Sequence, residues 1–76
     1  MNAKTKKQTL AAMGSNIKAA RLRCGWTQAE LAKKLGISIA YQSLLERGGR
    51  NPPATTVIEL ARWLDVPPGT LLGKAA

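Results

Sequence analysis

Twelve Lys and Arg stand against four Asp and Glu, a formal charge of +8 carried by only 76 residues. The chemistry open to such a chain is the capture of polyanions. An excess of this size sets up a positive field that draws in nucleic acid or an anionic lipid surface. Other chemistries lack their parts. There is no His, Cys24 is the single Cys, and the four acids are scattered. No spacing therefore suits a metal ion, and no nucleophile–base or acid–base pair is in place for catalysis. These absences predict a non-enzyme that needs no metal and no cofactor.

Location follows from the same residues. One Cys forms no intrachain disulfide, so an oxidising compartment gains no support. The N-terminus is basic, but the stretch Thr9–Met13 after it is too short for a signal-peptide core. Nothing approaches the roughly 18 apolar residues of a membrane span. The basic residues are spread along the chain instead of along one amphipathic face, which favours nucleic acid over a membrane surface. A cytoplasmic protein with no membrane partner is expected.

Cations act only where a scaffold holds them. Apolar residues make up 45% of the chain, but the aromatic ones are only Trp26, Tyr41 and Trp63. The core must be Leu, Ile, Val and Ala, which suits packed helices, and the length allows one small domain. Residues 1–8 read as a flexible basic arm with Lys4, Lys6 and Lys7, residues 9–73 as the folded domain, and residues 74–76 as a tail. Leu10, Met13, Ile17, Ala20 and Cys24 recur at helical spacing, and Gly25 closes that helix. Gly14 weakens its first part, so Ser15 or Asn16 could start it later. On this stripe Cys24 reads as a buried structural thiol.

The clearest start signal is Thr27-Gln28-Ala29-Glu30, a capping box in which hydroxyl and carboxylate each accept from a free backbone N–H. Trp26 and Leu31 flank it at the spacing of a hydrophobic staple. Leu31, Ala32 and Leu35 form the inner stripe, and Gly36 ends the helix. After Gly36-Ile37-Ser38, the Ser38 hydroxyl caps a helix over residues 39–45. Another helix is predicted from about Ala54 to Leu64, with Val57, Leu60, Ala61 and Leu64 inward. Pro67-Pro68 breaks the chain, and a final turn brings Leu71 and Leu72 back to the core.

Two short helices joined by a three-residue turn containing Gly form a helix-turn-helix, here over about residues 28–47. Ala32 must be small where the second helix crosses it, Gly36 takes the left-handed turn, and Ile37 points back into the core. The helix over residues 39–45 is then held proud, where it fits a major groove about 12 Å wide.

From about Met13 to Leu72 the chain resembles the Xre/Cro-type domains of phage repressors and small bacterial regulators. The resemblance is carried by Ile17-Lys18-Ala19-Ala20-Arg21, Trp26-Thr27-Gln28-Ala29-Glu30-Leu31-Ala32, Leu35-Gly36-Ile37-Ser38 and Leu45-Glu46-Arg47-Gly48-Gly49-Arg50-Asn51-Pro52, then by Leu60-Ala61, Leu64 and Leu71-Leu72. It implies an all-α, five-helix, lambda-repressor-like fold whose third helix reads double-stranded DNA, and an ion pair between Arg21 and Glu46. It also implies site roles. Gln28 would bond a phosphate or hold a recognition residue. Ser38, Ile39, Ala40, Ser43 and Leu44 would face bases and nearby backbone, and Arg47 and Arg50 would meet phosphates. A homodimer on a palindromic operator follows from the same likeness, as does a role as a repressor or controller-type regulator of transcription.

The sequence departs from that pattern in the third helix. Polar side chains usual in the family are replaced by Ile39, Ala40 and Leu44, and Gln42 stands where Ile or Val is usual. In the family register Gln42 points inward and needs a buried partner. Base reading then falls to apolar contact with thymine methyls and to Ser43. In a rolled register Tyr41, Leu44 and Leu45 share the inner face, and Gln42 emerges to pair with adenine. Both registers are valid helical spacings. The apolar third helix also feeds an alternative function, an antitoxin-like module that binds a partner protein. Lys4, Lys6 and Lys7 either wrap the duplex or solubilise the terminus, and Trp63 either completes the core or marks a subunit contact.

Overall fold

The computed structural model describes residues 5–72. Lys4 of the predicted arm and the predicted tail 74–76 lie outside the described residues. Five helices follow one another: α1 (Lys6–Cys24), α2 (Gln28–Leu35), α3 (Ile39–Glu46), α4 (Ala54–Leu64) and α5 (Pro68–Leu71). Among the described residues there is no strand, and no helix is long and apolar enough to cross a membrane.

α1 starts earlier than apolar periodicity alone indicates. Thr5 Oγ1 accepts from the Gln8 backbone N–H at 3.1 Å, and the Gln8 side chain accepts from the Thr5 N–H at 3.0 Å. This capping box fixes Lys6, Lys7 and Gln8 in the first turn of a helix, where the sequence predicts an arm. The second capping box is where the sequence puts it, with Glu30 N–H donating to Thr27 Oγ1 at 3.0 Å and Thr27 N–H to Glu30 Oε1 at 2.8 Å. Gly25 and Gly36 end α1 and α2 in the left-handed conformation.

One core runs through the bundle. Ile17, Leu31, Leu45, Leu60 and Leu71 are fully enclosed, joined by Met13, Ala20, Val57, Ala61 and Leu64, with Trp26, Leu35, Ile37 and Tyr41 packed against its edge. Ala32 is buried and Ile37 turns inward, as the crossing of α2 and α3 requires.

Two expected core residues, Leu72 and Cys24, lie elsewhere, and Trp63, open between core and subunit contact, is at the surface. Leu72 is 51% exposed, because the single turn of α5 can bury only one face and gives it to Leu71. Trp63 is 42% exposed, one step off the inner stripe Leu60–Ala61–Leu64. Its ring lies 5.2 Å from the Lys34 ammonium, which also stands 5.5 Å from the Trp26 ring. That cation satisfies both indole faces at the surface. Cys24 is exposed, and its thiol meets the Leu64 carbonyl at 3.4 Å.

Candidate nucleic-acid interface

The direction in which α3 faces is set by a carboxylate at its C-terminal end. Glu46 Oε2 accepts from Arg21 Nε at 2.7 Å and from Gln42 Nε2 at 2.8 Å. Glu46 Oε1 accepts from Arg21 Nη2 and Gln28 Nε2, each at 3.0 Å. The remaining Arg21 nitrogen, Nη1, donates to the Trp26 carbonyl at 2.9 Å. One buried anion thus ties α1, the α1–α2 turn, the start of α2 and two positions of α3 together, through a bidentate guanidinium and two amides. Burial pushes the Glu46 carboxyl up. The hydrogen bonds from Arg21, Gln28 and Gln42, with the guanidinium charge, outweigh this and hold it below its ordinary value.

This network decides the register. Gln42 is 0% exposed and spends its amide on Glu46, so the rolled arrangement with Gln42 in the groove is wrong. The physical reason is that Gln42 and Glu46 stand one turn apart, so a helix that buries the Glu46–Arg21 pair must bury Gln42 too. Gln42 is thereby removed from the set of residues that could touch DNA. Its cost is visible: among the described residues no donor reaches the buried Gln42 Oε1.

The other candidates stand outside. Ser38, Ile39 and Ala40 are exposed at the start of α3, Ser43 and Leu44 are half-buried on the next turn, and Arg47 and Arg50 are exposed beyond its end. The Ser38 hydroxyl accepts from the Tyr41 N–H at 3.0 Å, which caps α3. Gln28 is half-buried, and its side-chain amide donates to Glu46, which is not one of the residues expected to face DNA.

Close backbone contact locates the far end of α3. A Cβ on Gly14 would lie 2.5 Å from the carbonyl oxygens of both Leu45 and Glu46. Gly14, which the sequence suggested as a weak point of α1, is the place where α3 docks on it. Gly48, with φ of 77°, sits against Ala11, where a Cβ would come within 2.8 Å of the Ala11 Cα. Only glycine allows these approaches. Both contacts are tertiary, and a single sequence carries no signal for them beyond the glycine itself.

The face of α1 that meets α3 continues past it. Gly14, Ala11 and Lys7 lie on one helical stripe, so Lys7 follows one turn beyond the Gly48 contact, about 6 Å farther along the axis. Lys7 and its neighbour Lys6 are both exposed in that turn. No acidic residue lies in that first turn.

Comparison with known proteins agrees with this geometry. A family model described as helix-turn-helix matches residues 17–71. The chain is 46% identical over 54 residues to the uncharacterized HTH-type transcriptional regulator y4dJ of Sinorhizobium fredii, covering 71% of this chain and 70% of that protein. It is 42% identical over 57 residues to an uncharacterized HTH-type transcriptional regulator of Mycobacterium tuberculosis, covering 75% of this chain and 22% of that protein. The chain therefore spans about a fifth of the length of that mycobacterial relative. Antitoxin HipB of Escherichia coli K12 is 37% identical over 54 residues, 71% of this chain and 61% of HipB. Among solved structures, the restriction-modification controller protein C.AhdI of Aeromonas hydrophila superposes with a TM-score of 0.77 at 32% identity, over 82% of this chain and 94% of that one. SinR, a master regulator for biofilm formation solved in complex with DNA, superposes with a TM-score of 0.74 at 36% identity, over 79% of this chain and 97% of that one.

Proposed function

The chain belongs to the helix-turn-helix family, and on that premise we propose that it is a transcriptional regulator that binds double-stranded DNA through α3. One observation carries the proposal. α3 is anchored from behind by three hydrogen bonds to Glu46, two from Arg21 on α1 and one from Gln28 on α2, while Ile39 and Ala40 project from its first turn and Arg47 and Arg50 stand exposed beyond its end. That is a rigid reading surface bordered by phosphate-binding cations. Ser38, Ile39, Ala40, Ser43 and Leu44 would face the groove, and Arg47 and Arg50 the backbone. Gln28 acts from within by holding Glu46. Lys6 and Lys7 join the backbone contacts from a helical turn instead of from a loose arm.

The protein acts as a repressor or controller-type regulator in the cytoplasm, as a homodimer on a palindromic site. A second copy is supported by the exposed Ile58 and Leu72, which flank an apolar groove with Met13, Pro52, Val57 and Pro68. Light scattering that finds only monomer, free and on DNA, removes the dimer.

Selection from random duplex DNA at two salt concentrations tests the main reading. Enriched sites whose affinity falls steeply with salt support it. A protein that ignores DNA even in dilute buffer ends it. The likeness to antitoxin HipB and the apolar α3 face favour one second reading, a module that binds a partner protein. A stoichiometric co-purifying protein would support that reading.

A further inference from the structure

The outward side of α3 carries no side chain able to make a paired hydrogen bond to a base edge. The residues of α3 with larger polar groups are Tyr41, Gln42 and Glu46. Gln42 and Glu46 are committed to the buried network, and Tyr41 packs against the core. What remains outside is Ile39 at 55% exposure and Ala40, with Leu44 and Ser43 half-buried beside them. The Ser38 hydroxyl already caps the helix.

Base pairs differ in the major groove by their donors, their acceptors and one apolar group, the methyl on pyrimidine C5. An apolar side chain laid against a bare cytosine or guanine edge strands polar groups without water. Laid against a C5-methyl, it buries apolar surface on both sides. We infer that this chain selects its DNA chiefly through C5-methyl groups of pyrimidines, with Ile39, Ala40 and Leu44 as the residues that set specificity. The inference rests on the DNA-binding reading above and names the chemical feature recognised at that same surface.

The test starts from duplexes selected out of random sequence, which should be enriched in thymine at the positions under α3. The same duplexes are then remade with deoxyuridine in place of thymine, which deletes the methyl and leaves base pairing and phosphates intact. Binding should weaken about fourfold for each contacted methyl removed, while the salt dependence stays the same. Ile39→Ala should shrink the uracil penalty at one position, and because Ile39 is exposed this variant keeps the fold. Where a contacted pair is replaced by cytosine–guanine, 5-methylcytosine should bind better than cytosine if the methyl is read from either pyrimidine. No such gain, with the uracil penalty intact, assigns the methyl to thymine. Equal affinity for thymine and uracil duplexes overturns the inference and leaves DNA binding standing. No binding to any duplex in dilute buffer overturns both.

Discussion

Gln42 donates to Glu46 across one turn of α3 at 2.8 Å, and the two residues enter the interior together. Their alliance fixes the rotation of the helix and so decides which side chains are left to meet a partner. It sets a buried amide beside a buried ion pair, and the amide oxygen goes without a donor among the described residues.

Glu46→Gln should destabilise the protein strongly at neutral pH, by about 3–5 kcal/mol, because it leaves the buried Arg21 guanidinium uncompensated. The Glu46 carboxyl is held below its ordinary value of 4.5 in the folded state. The stability it contributes is therefore fully present above that value and lost as pH falls through the folded one. Thermal melts from neutral to strongly acid pH should show the wild type converging on the variant. A constant gap across that range would contradict the assignment.

Gln42→Glu should cost at least as much at neutral pH, about 3–5 kcal/mol, by placing a second carboxylate against Glu46 Oε2. Burial and the neighbouring anion raise the pKa of the new group, so its penalty is smallest in acid and grows as pH rises. Gln42→Met should stay within about 1 kcal/mol of wild type, since the lost hydrogen bond is offset by removal of the orphaned oxygen. Urea unfolding of both variants at two pH values checks this pair.

Gly14→Ala should destabilise by about 1–3 kcal/mol through overpacking. An open helical site would instead gain about 1 kcal/mol from the same change. The added Cβ meets the backbone carbonyls of Leu45 and Glu46, which cannot step aside without moving α3. If chemical denaturation shows a gain, the close approach of α1 and α3 is wrong.

Arg47→Gln and Arg50→Gln should each weaken DNA binding about equally for all sequences and lower the salt slope by about one. Lys6→Gln with Lys7→Gln should lower it by up to about two, because the capping box holds both lysines in the first turn of α1. Fluorescence anisotropy against salt concentration reads each slope. Unchanged slopes would remove these side chains from the phosphate contacts.

What the sequence determined is local. Thr27 to Glu30, Gly36 and Ser38 specify where α2 begins and ends and where α3 begins through hydrogen bonds a few residues apart, so the helix-turn-helix was legible without coordinates. Thr5 and Gln8 carry the same capping signature, and the start of α1 was missed only because no apolar residue lies between them. The tertiary structure decided the rest. Two helical faces of α3 had acceptable spacing, and the choice between them depended on Arg21, 25 residues from Glu46, which no periodicity within α3 records. Gly14 and Trp63 tell the same story: a glycine's value and an indole's exposure are set by what packs against them, and that neighbour is remote in the chain.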